Sequence, residues 1–88
     1  MHAVVFQVDF VPGREQQQEA ELDIVAGLTQ SSPGFVRGTW LGDGERGMSC
    51  ILFDSEDAAR TVAANAAIPP DAAVQLRSVD VYAVARDI

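Results

Sequence analysis

The chain has 88 residues, enough for one small domain (1–88), and no apolar run approaches the ~20 residues that a membrane-spanning helix requires. It carries 13 acidic residues against six basic ones, for a formal charge of −7, which disfavours binding to nucleic acid or to an anionic membrane surface. The single cysteine, Cys50, excludes an internal disulfide and agrees with a cytoplasmic protein.

The first strand and the first helix are predicted from two different periodicities. The even positions of residues 3–10 are all apolar, which is the alternation typical of a strand. Pro12-Gly13 ends this strand, and the segment from about Arg14 to Gln30 has the composition of a helix that stops at Ser31-Ser32-Pro33-Gly34. Gly27 costs about 1 kcal/mol relative to alanine inside a helix, which suggests a close approach to the sheet there.

The middle of the chain predicts a hairpin. A second strand runs from Phe35 to Leu41 and contains the only tryptophan, and the small and acidic residues 42–47 favour a tight connection. The next run, Met48 to Phe53, is almost continuously apolar. It therefore predicts a central strand that is buried on both faces.

The last third predicts a helix and a fourth strand. Asp54-Ser55-Glu56-Asp57 supplies a cap and first-turn acids, and Pro69-Pro70 is expected to end the helix. One side of this helix is mostly alanine, so we expect it to approach the sheet closely. Alternation resumes from Val74 to about Ala85 and predicts the final strand.

The order of elements predicts an α+β, ferredoxin-like βαββαβ fold rather than an α/β domain with another strand order. Right-handed crossovers give a four-stranded antiparallel sheet, order 4-1-3-2, with both helices on one face. The other face is left bare and is too apolar for water alone, which predicts a homodimer, a bound ligand, or both. Alternation assigns these residues to the bare face: Val5, Gln7, Asp9, Trp40 and Tyr82.

Three segments carry a family resemblance: Pro12-Gly13 after the first strand, Pro33-Gly34-Phe35 after the first helix, and the helix entry at 54–59. Together they resemble the dimeric α+β barrel superfamily, most closely small actinobacterial proteins near the antibiotic biosynthesis monooxygenase family. The lack of lysine also indicates a GC-rich genome. The resemblance implies two subunits with their sheets face to face and a cavity used for cofactor-free oxidation, haem breakdown, isomerisation, dechlorination or no known chemistry.

The sequence departs from the active members of that family. Haem-degrading relatives use an axial histidine on the second helix, whereas the only histidine here is His2. Quinone-forming oxygenases use an asparagine early in the chain, whereas the only asparagine is Asn65. One histidine and one cysteine cannot assemble a zinc site or a catalytic triad within one chain, so no metal, cofactor or catalytic residue is assigned.

Polar and aromatic residues of the first, second and fourth strands are the candidate ligand-cavity residues: Gln7, Asp9, Trp40, Asp80 and Tyr82. Trp40 and Tyr82 either line a cavity or close the dimer interface. If Asp9 and Asp80 are buried and close, their repulsion raises one pKa and creates a general base; otherwise they form a solvated or interface patch. Pairing of these carboxylates with Arg37 or Arg77 would favour the interface.

Three functions remain open. The first is a cofactor-independent, monooxygenase-like enzyme that acts on a small aromatic or polyketide-like molecule, as the resemblance implies. The second is a non-catalytic protein that binds a small apolar or aromatic ligand. The third is a dimerisation module whose cavity is filled by its own side chains. A partly polar pocket of about 300 Å³ or more beside Trp40 would favour the first two.

Overall fold

The computed structural model describes all 88 residues and contains the predicted elements in the predicted order. They are β1 (His2–Phe10), α1 (Glu15–Gln30), β2 (Phe35–Gly42), β3 (Arg46–Phe53), α2 (Glu56–Ala64) and β4 (Val74–Ala83). The sheet is antiparallel with strand order β2-β3-β1-β4, which is the predicted order read from the other edge. The ferredoxin-like fold is therefore confirmed. No helix is long and apolar enough to span a membrane.

The core lies between the middle of the sheet and α2. Val4 and Phe53 are completely buried, as is Ala59 on α2, and Ile51 joins them from β3. With only a methyl group at position 59, the helix backbone lies close to the strands, as predicted. The Oγ atom of Ser55 accepts the N–H of Ala58 at 3.2 Å and caps the start of α2.

The end of α2 was predicted at Pro69-Pro70, and this is wrong. The helix ends after Ala64, with Asn65 as its C-cap. Asparagine is a poor residue for a helix interior because its side chain competes for backbone hydrogen bonds, and the position before a proline disfavours helical backbone angles. Residues 65–68 therefore leave the helix before the prolines are reached.

Hydrogen bonds, rather than buried side chains, attach α1 to the rest of the molecule. Arg14 and Gln17 donate to the carbonyl of Asp71, Gln18 donates to the carbonyl of Val11, and Glu21 accepts the N–H of Ala73. No residue of α1 is buried, and the exposed fraction of Leu28 is 69%. The close approach expected at Gly27 is also wrong, because no atom would lie within 4 Å of a Cβ placed there.

The strand register assigns each side chain to one of the two faces of the sheet. Trp40 pairs with Ser49, Ser49 pairs with Phe6, and both aromatic residues pack against the core on the side of the helices. Placing Trp40 on the bare face was therefore wrong: pairing of β2 with β3 puts it in the same row as Phe6. The opposite side of the sheet, called the open face here, carries Val5, Gln7, Asp9 and Tyr82, as expected from alternation.

Candidate functional site

The predicted site residues do not converge on one point. Gln7, Asp9, Asp80 and Tyr82 lie on the open face, whereas Trp40 lies on the other side of the sheet.

The two aspartates are far apart. Asp80 pairs with Val5 on β1, four residues from Asp9, which corresponds to about 13 Å along the strand. Asp9 lies beside Arg77, with 3.5 Å between carboxylate and guanidinium. The close carboxylate pair required for a general base is therefore not formed, and the pairing with arginine is the arrangement that favours an interface role.

A cleft of about 500 Å³ lies on the open face, where the C-terminal residues fold over the sheet. The N–H of Val84 donates to the carbonyl of Met1 at 3.0 Å, and Asp87 forms an ion pair with Arg37 of β2. The lining residues are Ala3, Arg37, Thr39, Cys50, Leu52, Val84, Ala85, Arg86 and Asp87. None of the predicted cavity residues lines this cleft.

The helix-facing side of the sheet has a floor of aromatic rings. Of the six aromatic residues in the chain, only Tyr82 lies on the open face. Phe53 is fully buried in the core. The other four are only partly buried, and we call them the aromatic floor: Phe6, Phe10, Phe35 and Trp40.

Glycines allow two rings of this floor to lie flat on the backbone. A Cβ placed on Gly38 would be 2.8 Å from Cη2 of Trp40. A Cβ placed on Gly47 would be 2.8 Å from Cζ of Phe10, and one on Gly42 would be 3.1 Å from Cε2 of the same ring. Any side chain at these positions would lift the rings away from the sheet.

Ser49 is the one buried polar residue, with an exposed fraction of 8%. Residues that pair across neighbouring strands form a row. The row that contains Ser49 lies between the row of Gly47, which the ring of Phe10 covers, and the row of Gly38, which the ring of Trp40 covers. No hydrogen bond joins its hydroxyl to another side chain or to the backbone. Sequence reasoning did not select Ser49, although a serine inside the apolar run 48–53 was a visible signal.

Two apolar residues on the sheet-facing side of α1 do not pack against the core cluster. Gln18, Leu22, Val25 and Thr29 share one side of the helix, because they are spaced four, three and four residues apart. Gln18 and Thr29 are partly buried, so this side faces the sheet. Leu22 and Val25 are nevertheless 41% and 47% exposed. Neither the cleft at the C-terminal residues nor the one at residues 66–76 is lined by these two residues or by a ring of the aromatic floor, so the expected pocket beside Trp40 is not found at either place. The region that the two residues and the floor border is called the helix-side cleft below.

His2 lies at the end of the sheet, paired with Phe53 and four residues along β1 from Phe6. Its Nε2 atom is 4.0 Å from the carboxylate of Glu56, and its Nδ1 atom is buried without a hydrogen-bond partner. The hydrogen bonds and charge of Arg60, and the charge of His2, lower the pKa of Glu56. No three side chains of the types that bind metals lie close enough to hold an ion.

Comparison with known proteins identifies the fold. No protein-family model and no curated protein matches the chain. Among solved structures, the haem degrader MhuD from Mycobacterium tuberculosis, with two haems in its active site, has a TM-score of 0.73 and 18% identity over 100% of this chain and 99% of that one. SnoaB from Streptomyces nogalater, a cofactor-independent oxygenase, has a TM-score of 0.73 and 17% identity over 99% and 96%. The chain therefore has the same fold as these two proteins.

The residues of the chain do not fit a haem as they stand. Haem iron is held by an axial side chain, and histidine is the usual one. His2 is the only imidazole, and its accessible nitrogen faces Glu56 at the end of the sheet, about 13 Å along β1 from the aromatic floor at Phe6. The helix-side cleft contains no imidazole to coordinate iron.

Proposed function

We propose that the protein binds a small, flat aromatic or polyketide-like molecule in the helix-side cleft and oxidises it with dioxygen, without a metal or bound cofactor. One observation carries this proposal: Leu22 and Val25 stay exposed on the sheet-facing side of α1, and four aromatic rings on the helix-facing side of the sheet are only partly buried. Burial of apolar surface on both sides of a planar ring would provide the affinity. The likeness to SnoaB supports the choice of reaction.

Such a reaction requires a substrate that supplies the electrons itself. A CH₂ group activated by a neighbouring phenol or enol can lose a proton to solvent water, and the resulting carbanion transfers electrons to dioxygen. The CH₂ group becomes a carbonyl with one oxygen atom, and the other oxygen leaves with the two hydrogens as water. The role of the protein is to hold the ring on the floor beside Trp40 and to limit the access of water.

The second candidate is a protein that binds the same ligand without changing it. This alternative is favoured by the composition of the aromatic floor, where Ser49 is the only buried polar side chain. Neither Asp9 nor Asp80 can act as a base for a ligand in the helix-side cleft, because both lie on the opposite face of the sheet. Measurement of oxygen consumption separates the two candidates.

The first experiment measures binding and oxidation with the same compound. Anthrone contains the required CH₂ group, and its binding should change the fluorescence of Trp40, the only tryptophan. An enzyme should consume one molecule of dioxygen for each anthrone converted to the quinone, at a rate above that in buffer. Binding without consumption would support the second candidate, and no binding at millimolar concentrations would contradict the proposal.

A matched pair of variants on α1 locates the site. Val25→Asp places a charge in the helix-side cleft, whereas Ile24→Asp makes the same type of change on another side of the helix, where the residue is 63% exposed. We expect Val25→Asp to weaken anthrone binding about tenfold or more because the charge must be desolvated, and Ile24→Asp to leave it nearly unchanged. Equal effects would place the ligand elsewhere.

We also propose a cytoplasmic homodimer formed through the open face. This face exposes Leu41 by 56%, Met48 by 41% and Tyr82 by 56%, which is a large apolar surface for so small a chain. A stable dimer typically buries about 1,200 Å² or more, and the area of a four-stranded sheet is of that order. Light scattering at micromolar concentration should give twice the monomer mass of 9.4 kDa.

A further inference from the structure

We infer that the cleft of about 500 Å³ under residues 84–87 binds a small monocarboxylate with an apolar body, and that Arg86 recognises the carboxylate. This cleft is called the C-terminal cleft here. It lies on the open face of the sheet, so the inference does not depend on the function proposed for the helix-side cleft. Its volume falls in the range of about 300–1,000 Å³ that is usual for small-molecule sites.

Two rows of side chains on the open face form the floor of the C-terminal cleft. Arg37, Leu52 and Ala3 pair across β2, β3 and β1 in one row, and Thr39 pairs with Cys50 in the next. Leu52 and Ala3 are each only 7% exposed, because the C-terminal residues fold over this part of the sheet. The floor between the strands and the C-terminal residues is therefore mainly apolar and can hold the body of a ligand.

The charged side chains of the lining determine the charge of the ligand. They are Arg37, Arg86 and Asp87, which give two positive charges against one negative charge in a chain whose formal charge is −7. A ligand with one negative charge balances this lining, whereas a phosphate with two charges would leave one of them unpaired. Arg37 shows which group suits the cleft, because it already holds the carboxylate of Asp87, a side chain that is only 22% exposed.

Arg86 is the arginine that remains free for a ligand. Of the other five arginines, four form ion pairs with acidic side chains, and Arg14 donates to the carbonyl of Asp71. Arg86 forms neither an ion pair nor a hydrogen bond, although it lines the cleft beside Asp87. A guanidinium group can bind a carboxylate through two parallel, charge-assisted hydrogen bonds. A carboxylate held in this way would have its apolar body in a cleft with mainly apolar walls.

The test compares an acid and an alcohol with the same apolar chain. Calorimetry would give the dissociation constants of octanoate and 1-octanol for the wild-type protein and for Arg86→Gln. We expect the wild type to prefer octanoate about tenfold, as for one charge-assisted contact at a partly solvated site. Arg86→Gln should lose this preference by weakening octanoate alone. Its melting temperature should equal that of the wild type, because Arg86 has no partner within the chain.

Two further variants separate recognition by Arg86 from a general effect of charge. Arg86→Lys should keep part of the preference, because the positive charge remains while the paired hydrogen bonds are lost. Arg14→Gln removes one positive charge outside the C-terminal cleft and should keep the preference of the wild type. The inference would be wrong if the wild type bound octanoate no better than octanol, if Arg86→Gln kept the preference, or if Arg14→Gln lost it equally.

Discussion

The indole of Trp40 lies on the backbone of Gly38, so closely that a Cβ placed on the glycine would be 2.8 Å from Cη2 and 2.9 Å from Cζ3 of the ring. The two residues are next-but-one neighbours on β2 and therefore point to the same side of the sheet. The absence of a side chain at Gly38 thus sets the position of the largest ring in the aromatic floor.

Gly38→Ala should displace the indole. We expect a loss of about 1–3 kcal/mol in the free energy of unfolding, as for other overpacked sites, together with a shift in the emission of Trp40. Gly27→Ala in α1 is the matched control: nothing lies within 4 Å of its added Cβ, and a gain of roughly 0.5–1 kcal/mol is expected from helix propensity. Urea unfolding measures both. Equal behaviour of the two variants would contradict the contact.

Trp40 and Leu41 are adjacent in sequence but lie on opposite faces, so their substitution should separate ligand binding from assembly. Trp40→Ala should weaken aromatic binding and leave the dimer intact, because the indole packs on the helix-facing side. Leu41→Asp should give a monomer at micromolar concentration while ligand binding persists, because Leu41 is 56% exposed on the open face. Calorimetry and light scattering distinguish these outcomes. Loss of the dimer in Trp40→Ala would refute this division.

The close approach of α2 predicts that a larger residue at Ala59 will not be tolerated. Ala59→Leu adds three carbon atoms at a position with no exposed surface, and we expect a cost of about 1–3 kcal/mol or more in the free energy of unfolding. Ala64→Leu, at the exposed end of the same helix, should change stability by less than about 0.5 kcal/mol. Thermal unfolding of the two variants compares them. A similar cost at both positions would mean that helix propensity, not packing, governs the difference.

The turn between β2 and β3 should be sensitive to acid through Asp43. The backbone N–H groups of Arg46 and Glu45, and then the side chain of Arg46, lower the pKa of Asp43 from its ordinary value of 3.8 to about 2. Because the folded pKa is the lower one, the stabilisation is fully present above pH 3.8 and is lost as the pH falls toward 2.

The stability difference between the wild type and Asp43→Asn should therefore shrink between about pH 4 and pH 2, as urea unfolding at each pH would show. Glu45→Gln removes a charge from the same turn at a side chain that accepts no hydrogen bond, and it serves as the control. A difference that stays constant over this range, or that grows as the pH falls, would contradict the assignment to Asp43.

The fold could be predicted from the sequence because each element has its own signal. Alternation marks β1 and β4, the apolar run 48–53 marks the central strand, and small residues mark the turns between them. The face of Trp40 could not be predicted in this way. Apolar residues occupy both odd and even positions of β2, from Phe35 and Val36 to Trp40 and Leu41, so only the pairing with β3 determines which side faces the core.

Less of the candidate site could be predicted from the sequence. The spacing of leucine and valine in α1 predicts an amphipathic helix. Whether that helix packs on the sheet or only borders a cleft depends on its hydrogen bonds to Asp71 and Ala73, which lie more than 50 residues later in the sequence. This property is set by tertiary contacts, which a periodicity does not contain.

The C-terminal residues extend from β4 toward the far edge of the sheet. The N–H of Val84 still donates to the carbonyl of Met1, and three residues later the side chain of Asp87 meets the side chain of Arg37 on β2. A fluorescent label or a second protein fused after Ile88 would therefore start near β2, at the edge of the sheet opposite to β4. It would also lie over the face proposed for the dimer. A fusion at this end would consequently obstruct assembly.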